Sequence, residues 1–108
     1  MHELPNQISS QFVCLVGAIE PDKRQLHIEL TRHLFRSVLQ TQELLNGFAY
    51  QLPNEPDTLS KVVEFIRLEK LCCPFFGFAI EIKSDSEQIW LTLTGPEGVK
   101  SFIQSEFG

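Results

Sequence analysis

Three segments of the chain alternate apolar and other residues with a period of two, and short turn sequences lie beside them. Their apolar residues are Phe48, Tyr50 and Leu52, then Phe78, Ile80 and Ile82, then Ile89, Leu91 and Leu93. Such alternation is typical of half-buried β-strands. Asn46-Gly47 and Ser84-Asp85-Ser86 are turn sequences, so we predict two hairpins; Asn-Gly is a strong hairpin signal because both residues tolerate positive φ. Hairpins require antiparallel pairing.

Two long segments carry apolar residues at helical spacing instead. The first begins at Pro21-Asp22 and is predicted to run to about Leu39, because Pro suits the first helical turn and Asp the positive end of the helix dipole. The second starts near Asp57 and should end at Cys73, because Pro74 disfavours helical geometry at the residue before it. The predicted apolar side of this second helix holds Leu59, Val62, Val63, Ile66 and Cys73.

The two ends of the chain complete the predicted fold. Residues 94–97 resemble a capping box and predict a final helix, and the apolar run from Phe12 to Ile19, which carries Cys14, is interpreted as a strand. The fold class is therefore α+β, a two-layer sandwich with three helices on one face of a mainly antiparallel, four- or five-stranded sheet. Residues 1–10 are predicted to be a flexible segment and residues 11–108 a single domain.

The charge and the apolar runs argue against several classes of protein. A net charge of −5 argues against a nucleic-acid surface, which needs clustered Lys and Arg. The polar first ten residues lack the apolar core of a signal peptide, and residues 12–19 are too few to span a bilayer. We therefore expect a cytoplasmic protein that binds neither nucleic acid nor membranes and keeps its three cysteines reduced.

Two of the three cysteines, Cys72 and Cys73, are adjacent where the second helix meets Pro74. Glu69 precedes them by three and four residues, which places its carboxylate on the same side of the helix as both sulfurs. Thiolates with a carboxylate suit a soft or borderline ion, and Cys14 would add a third sulfur if its strand runs beside the helix end. The predicted metal site therefore consists of Cys14, Glu69, Cys72 and Cys73.

The adjacency of the two cysteines bears on the choice of ion. Zinc sites prefer cysteines two to four residues apart, whereas adjacent side chains on a regular helix point about 100° apart. Mercury(II) and arsenic(III) are therefore the favoured ions, and zinc requires the backbone to leave the helix after Cys72. We do not expect catalysis, because the helix C-terminus and Glu69 both disfavour a thiolate. His27 and His33 are six residues apart and do not share a helical face as paired ligands would.

Two other functions remain open. Cysteine is among the most buried residue types, so the pair also suits a non-catalytic interaction domain that forms a homodimer and buries its thiols. The homodimer surface would be the open face of the sheet, which holds Ala79, Lys83, Trp90 and Thr92. The second alternative is a thiol–disulfide redox protein with a vicinal disulfide, a ring that strains the peptide bond between its cysteines.

The segment from Glu69 to Phe75, Glu-Lys-Leu-Cys-Cys-Pro-Phe, and the later Leu-Thr-Leu-Thr-Gly-Pro-Glu-Gly at 91–98 carry a resemblance. The chain resembles a family of small uncharacterised bacterial proteins with the pattern Glu-x-x-Cys-Cys-Pro-Phe, a hairpin and Leu-x-Leu-Thr-Gly-Pro-Glu-Gly. The family's early Ala-Cys-x-Leu is replaced by Val13-Cys14-Leu15 here. The resemblance covers most of the chain from Cys14 onward. It implies a bacterial source, an association with metal-resistance regulators and the same four site residues.

Overall fold

The computed structural model describes residues 15–107, which form three α-helices and a four-stranded sheet. In chain order the elements are α1 Pro21–Arg36, β1 Gln40–Leu44, β2 Gly47–Pro53, α2 Thr58–Cys72, β3 Gly77–Ile82, β4 Gln88–Thr94 and α3 Val99–Phe107. A short 3-10 helix, Val16–Ala18, precedes α1. None of the helices in this part of the chain is long and apolar enough to cross a bilayer.

The strands form one antiparallel sheet in the order β1-β2-β4-β3. The helices cover one face, where the apolar side chains of the two central strands join the core. These buried strand residues are Phe48, Tyr50, Leu52, Leu91 and Leu93. On the opposite face, Ala79 pairs with Thr92, and Glu81 pairs with Trp90. The predicted α+β fold with helices on one face is therefore confirmed, with four strands rather than five among the described residues.

The first hairpin forms where it was predicted, but its turn is different. Leu44 pairs with Gly47, so the two turn residues are Leu45 and Asn46. Of the residues described, only Gly98 has a positive φ, so the turn does not use the positive φ that Asn46 and Gly47 tolerate. Gly47 instead belongs to β2, where an added Cβ would lie 1.9 Å from the carbonyl oxygen of Leu93. The glycine is therefore needed for the close approach of β2 and β4.

The helix α1 begins at Pro21 as predicted, yet it ends at Arg36 instead of near Leu39. The backbone N–H of Leu39 donates to the carbonyl oxygen of Gln51 at 2.8 Å. The chain has therefore already turned towards the sheet before Leu39, and this tertiary hydrogen bond competes with a further helical turn. Leu39 continues the helical spacing of apolar residues beyond the end of α1. It is exposed, however, and does not belong to the core.

The helix α2 has the predicted bounds, but its buried side is rotated from the predicted one. Val62 and Phe65 are completely buried, and the buried residues continue through Leu68, Glu69 and Cys72. Leu59 and Val63, which were predicted to lie on the apolar side, are 40% and 52% exposed. The prediction was wrong here because it omitted Phe65, the largest apolar side chain of the helix, whose burial determines which side faces the core.

The structure also differs from the prediction at both ends of the described chain. Val16–Ala18 form a 3-10 helix, so the predicted strand is wrong for its described part; its remainder, with Cys14, lies outside the described residues. The helix α3 begins at Val99, directly after Gly98 with φ of 94°. Thr94 is the last residue of β4, so it is too far from Val99 to cap this helix. The capping-box prediction is therefore wrong, although the helix itself is present.

Phe65 lies at the centre of an aromatic cluster that joins the helices to β3. Its ring centroid is 5.8 Å from that of Phe35, 6.4 Å from that of Phe78 and 6.2 Å from that of Phe107. All three contacts are edge-to-face, an arrangement that aromatic rings favour. Because the partners belong to α1, β3 and α3, this one side chain fixes the position of α2 relative to the rest of the fold.

Candidate functional site

The two adjacent cysteines lie where α2 ends. Cys72 is the last helical residue, and Cys73 has left the helix with φ of −129° and ψ of 76°. Pro74 accounts for this, because its ring disfavours helical geometry at the preceding residue. The change of direction brings the two sulfurs to 3.7 Å from each other. Both cysteines are buried, so the two sulfurs form a close pair that is shielded from solvent.

Four backbone and side-chain hydrogen bonds hold this segment in place. Cys73 N–H donates to the carbonyl oxygen of Glu69 at 2.6 Å, and Leu15 N–H donates to that of Cys72 at 2.7 Å. Beyond the pair, Phe76 N–H donates to the carbonyl oxygen of Cys73 at 3.2 Å. Lys70 Nζ donates to the carbonyl oxygen of Phe76 at 2.7 Å. The backbone on both sides of the thiols is therefore fixed by contacts with other parts of the fold.

Glu69, one turn before the cysteines, is a buried carboxylate with a specific partner. Its side chain is 4% exposed, and its Oε1 lies 2.6 Å from Nε2 of His27 on α1. Because a carboxylate can only accept, the imidazole ring donates in this contact. The ring of His27 also stacks on Phe65, with a centroid distance of 6.4 Å and an interplanar angle of 7°. The contact between His27 and Glu69 therefore links α1 to the C-terminal turn of α2.

A partly open cavity of about 220 Å³ lies beside Cys72. One face of α1, the end of α2 and the end of α3 form its walls. The lining residues are Ile19, Arg24, His27, Ile28, Thr31, Glu69, Cys72, Glu106 and Phe107. Apolar atoms contribute most of the surface, and of the two cysteines Cys72 is the one that lines this space.

The groups around the two cysteines carry negative charge. The cysteines lie at a helix C-terminus, where the unpaired carbonyl groups carry partial negative charge, and Glu69 adds a carboxylate. Lys70, the nearest basic residue in sequence, directs its ammonium group to the carbonyl oxygen of Phe76. A thiol becomes a strong ligand once an ion replaces its proton.

Of the four residues predicted for the site, the structure shows Cys72 and Cys73 in side-chain contact with each other. The carboxylate of Glu69 contacts His27 instead, and Cys14 lies outside the described residues. Within residues 15–107, no group of three or more His, Cys, Asp or Glu residues is arranged to hold a metal ion. His27 was not predicted to belong to the site. Its spacing to His33 on the same helix gave no indication of a site, and the partner of His27, Glu69, lies on another helix.

We expect the change His27→Ala to lower the free energy of unfolding by about 2–3 kcal/mol, because it leaves the buried carboxylate of Glu69 without its donor. Urea denaturation followed by circular dichroism measures this. His33→Ala is the matched control on the same helix, because His33 is exposed, and it should change stability by less than about 0.5 kcal/mol. Equal effects of the two substitutions would contradict a structural role for the His27–Glu69 contact.

No protein-family model, curated protein or solved structure matches this chain at the level required for a relationship. The resemblance to the family of small bacterial proteins therefore stays a prediction from the residues of the cysteine motif and the hairpin that follows it.

Proposed function

We propose that the protein binds a soft metalloid or metal ion through Cys72 and Cys73, and that arsenic(III) fits the pair best. The observation that supports this is the distance of 3.7 Å between the two sulfurs. A disulfide would need the sulfurs to approach to about 2.05 Å, and two unrelated buried cysteines need not approach each other at all. In the structure the two thiols are at hydrogen-bonding distance, and this separation is also compatible with two sulfurs that share one ion.

Simple geometry relates this distance to the angle at the ion. Two sulfurs that each lie about 2.3 Å from an ion are about 3.5–3.8 Å apart when the angle at the ion is about 100–110°. They are about 4.6 Å apart when the three atoms lie in line. The distance in this protein matches the bent arrangement. The exit of Cys73 from the helix provides that geometry, which a regular helix would not.

The three candidate ions differ in what they require. Two-coordinate mercury(II) prefers a linear arrangement, which the distance of 3.7 Å does not fit. Zinc takes four ligands in structural sites, of which the pair supplies two. Arsenic(III) has three bonds in a pyramid with bent angles and prefers sulfur, as soft ions do. Two thiols and one further group complete its valence, so arsenic(III) needs the least from the rest of the protein.

The surroundings of the pair support a binding role. Cysteine thiols must lose their protons when an ion binds, and the His27–Glu69 contact places a carboxylate and an imidazole beside the same cavity as Cys72. Leu15, whose N–H donates to the carbonyl oxygen of Cys72, is the next residue after Cys14 in the chain. This supports the inclusion of Cys14 as a third sulfur. A reducing, cytoplasmic location and the resemblance to proteins near metal-resistance regulators agree with the proposal.

The proposal is tested by titrating the reduced protein with arsenite, zinc and mercury(II) and recording thiolate-to-metal absorbance and the bound mass. We expect one arsenic per chain, and we expect Cys72→Ser combined with Cys73→Ser to weaken arsenite binding at least about 100-fold, since both bonds are lost. Cys14→Ser is the control that separates a two-sulfur from a three-sulfur site. If the double variant binds arsenite as tightly as the unchanged protein, the proposal is wrong.

The burial of the two thiols favours one alternative, a homodimerising interaction domain whose cysteines only fill the core. Cys72 and Cys73 are 2% and 0% exposed, which is ordinary for structural cysteines. This alternative requires a solution mass that rises with concentration and thiols that a labelling reagent reaches only after unfolding. Rapid labelling of the native protein, or protection of the thiols by arsenite alone, would count against it.

A further inference from the structure

The cavity beside Cys72 is larger than an ion needs. We propose that the ligand is trivalent arsenic bearing one apolar organic group, with the arsenic bound by Cys72 and Cys73 and the organic group in the cavity between α1, α2 and α3. This inference rests on the proposed function and names its substrate class. It explains why Cys72 adjoins a cavity whose surface is mostly apolar.

The size of the cavity suits a small ring or a short alkyl group. A cavity of about 150 Å³ lined by aliphatic and aromatic side chains holds benzene. The cavity in this protein is about 220 Å³ and is partly open, so a phenyl group fits with room for the bond to arsenic. A bare ion with its hydroxide would leave most of this space to water.

The chemistry of the walls also favours an apolar group. Ile19, Ile28 and Phe107 supply apolar surface. Several polar groups around the space already have partners within the protein: His27 contacts Glu69, Arg24 Nε donates to the carbonyl oxygen of Ile19 at 2.9 Å, and Thr31 Oγ1 donates to that of His27 at 2.8 Å. A ligand therefore gains from displacing water along these walls more than from forming new hydrogen bonds.

Arsenic keeps its bond to the organic group when it binds the two thiols. An arsonous acid, R–As(OH)₂, exchanges its two As–O bonds for two As–S bonds with Cys72 and Cys73. The two hydroxyl groups leave as water with the two thiol protons, and the oxidation state of arsenic does not change. The third bond, to R, remains. Because Cys72 lines the cavity, an arsenic atom bonded to its sulfur is next to this space, and the organic group on that arsenic enters it.

The experiment compares the binding of phenylarsonous acid with that of arsenite. In each case the protein competes with a small dithiol for the arsenic compound, so that the different intrinsic affinities of the two compounds for thiols cancel. We expect the protein to favour the phenyl compound at least about tenfold more than the small dithiol does, because burial of a phenyl group adds binding energy. Ile28→Trp should fill the cavity and lower this preference to within about threefold of the dithiol, with arsenite affinity kept. Val63→Trp, also at an exposed position but outside the cavity walls, should leave the preference unchanged.

The outcomes separate this inference from the proposed function. If both compounds bind and the protein shows the same preference as the small dithiol, the cavity plays no part and the inference is wrong, while the thiol site stands. An Ile28→Trp variant that keeps the full preference would also overturn the inference. If neither compound binds, the proposed function and the inference both fail.

Discussion

The change Phe65→Ala is expected to lower the free energy of unfolding by about 3–5 kcal/mol, which is the cost of truncating a fully buried phenylalanine. Phe65 is 0% exposed, and its ring contacts the rings of Phe35, Phe78 and Phe107. Because these partners lie on three different elements, no single neighbour can move to close the resulting void. Urea denaturation at equilibrium, followed by circular dichroism, measures the loss.

Val63→Ala provides the control for Phe65 on the same helix. Val63 is 52% exposed, so its truncation removes little buried surface and should cost less than about 1 kcal/mol. The Phe65 variant should also loosen His27, whose ring stacks on it, and arsenite affinity is a second readout of that change. A loss of stability equal to that of the Val63 variant would show that the aromatic cluster does not fix α2.

The change Gly47→Ala is expected to cost about 3 kcal/mol or more, because the added methyl group has no space. Its Cβ would lie 1.9 Å from the carbonyl oxygen of Leu93 and 2.8 Å from Cα of Thr94. Both are backbone atoms at the end of β4 that pairs with the start of β2, so β2 must move away from β4 there and weaken the hydrogen bonds between them. Thermal unfolding should show a lower midpoint, and amide exchange should increase in β2 and β4 first.

Gly17→Ala is the matched control, because an added Cβ at that position meets nothing within 4 Å. Alanine there also restricts the unfolded chain, so the substitution should be neutral or slightly stabilising. If Gly47→Ala is as harmless as Gly17→Ala, the close approach of the two strands does not constrain the residue.

The alternation of apolar residues predicted β2 and β4 because one face of each of these strands is buried in the core. The same alternation predicted β3, although Ile80 and Ile82 are exposed and only the partly buried Phe78 packs against the core. The edge strand β1 carries no such pattern, since four of its five residues are exposed; it was anticipated only as the partner of a hairpin. The turn was misassigned for a related reason, because Asn46-Gly47 has the composition of one turn type while the register selects another.

Some features of the site could be predicted from local sequence, whereas others depend on tertiary packing. Glu69, Cys72 and Cys73 could be grouped from helical spacing, and Pro74 indicated where the helix ends. The partner His27 and the cavity depend on how α1, α2 and α3 pack, and no spacing within one helix contains that information. The buried side of α2 was predicted wrongly for the same reason, because the position of Phe65 in the core depends on rings from other elements.

The hydrogen bond from Leu15 to Cys72 joins two points that are far apart in the chain, and the cavity walls come from three helices. A peptide that spans only α2 and the following loop would contain Glu69, Cys72 and Cys73, yet it would lack the backbone partner of Cys72, the imidazole beside Glu69 and the apolar walls. Its two thiols would behave as those of any flexible dithiol. The geometry of the thiol pair is therefore a property of the whole domain, and the short sequence motif alone does not carry it.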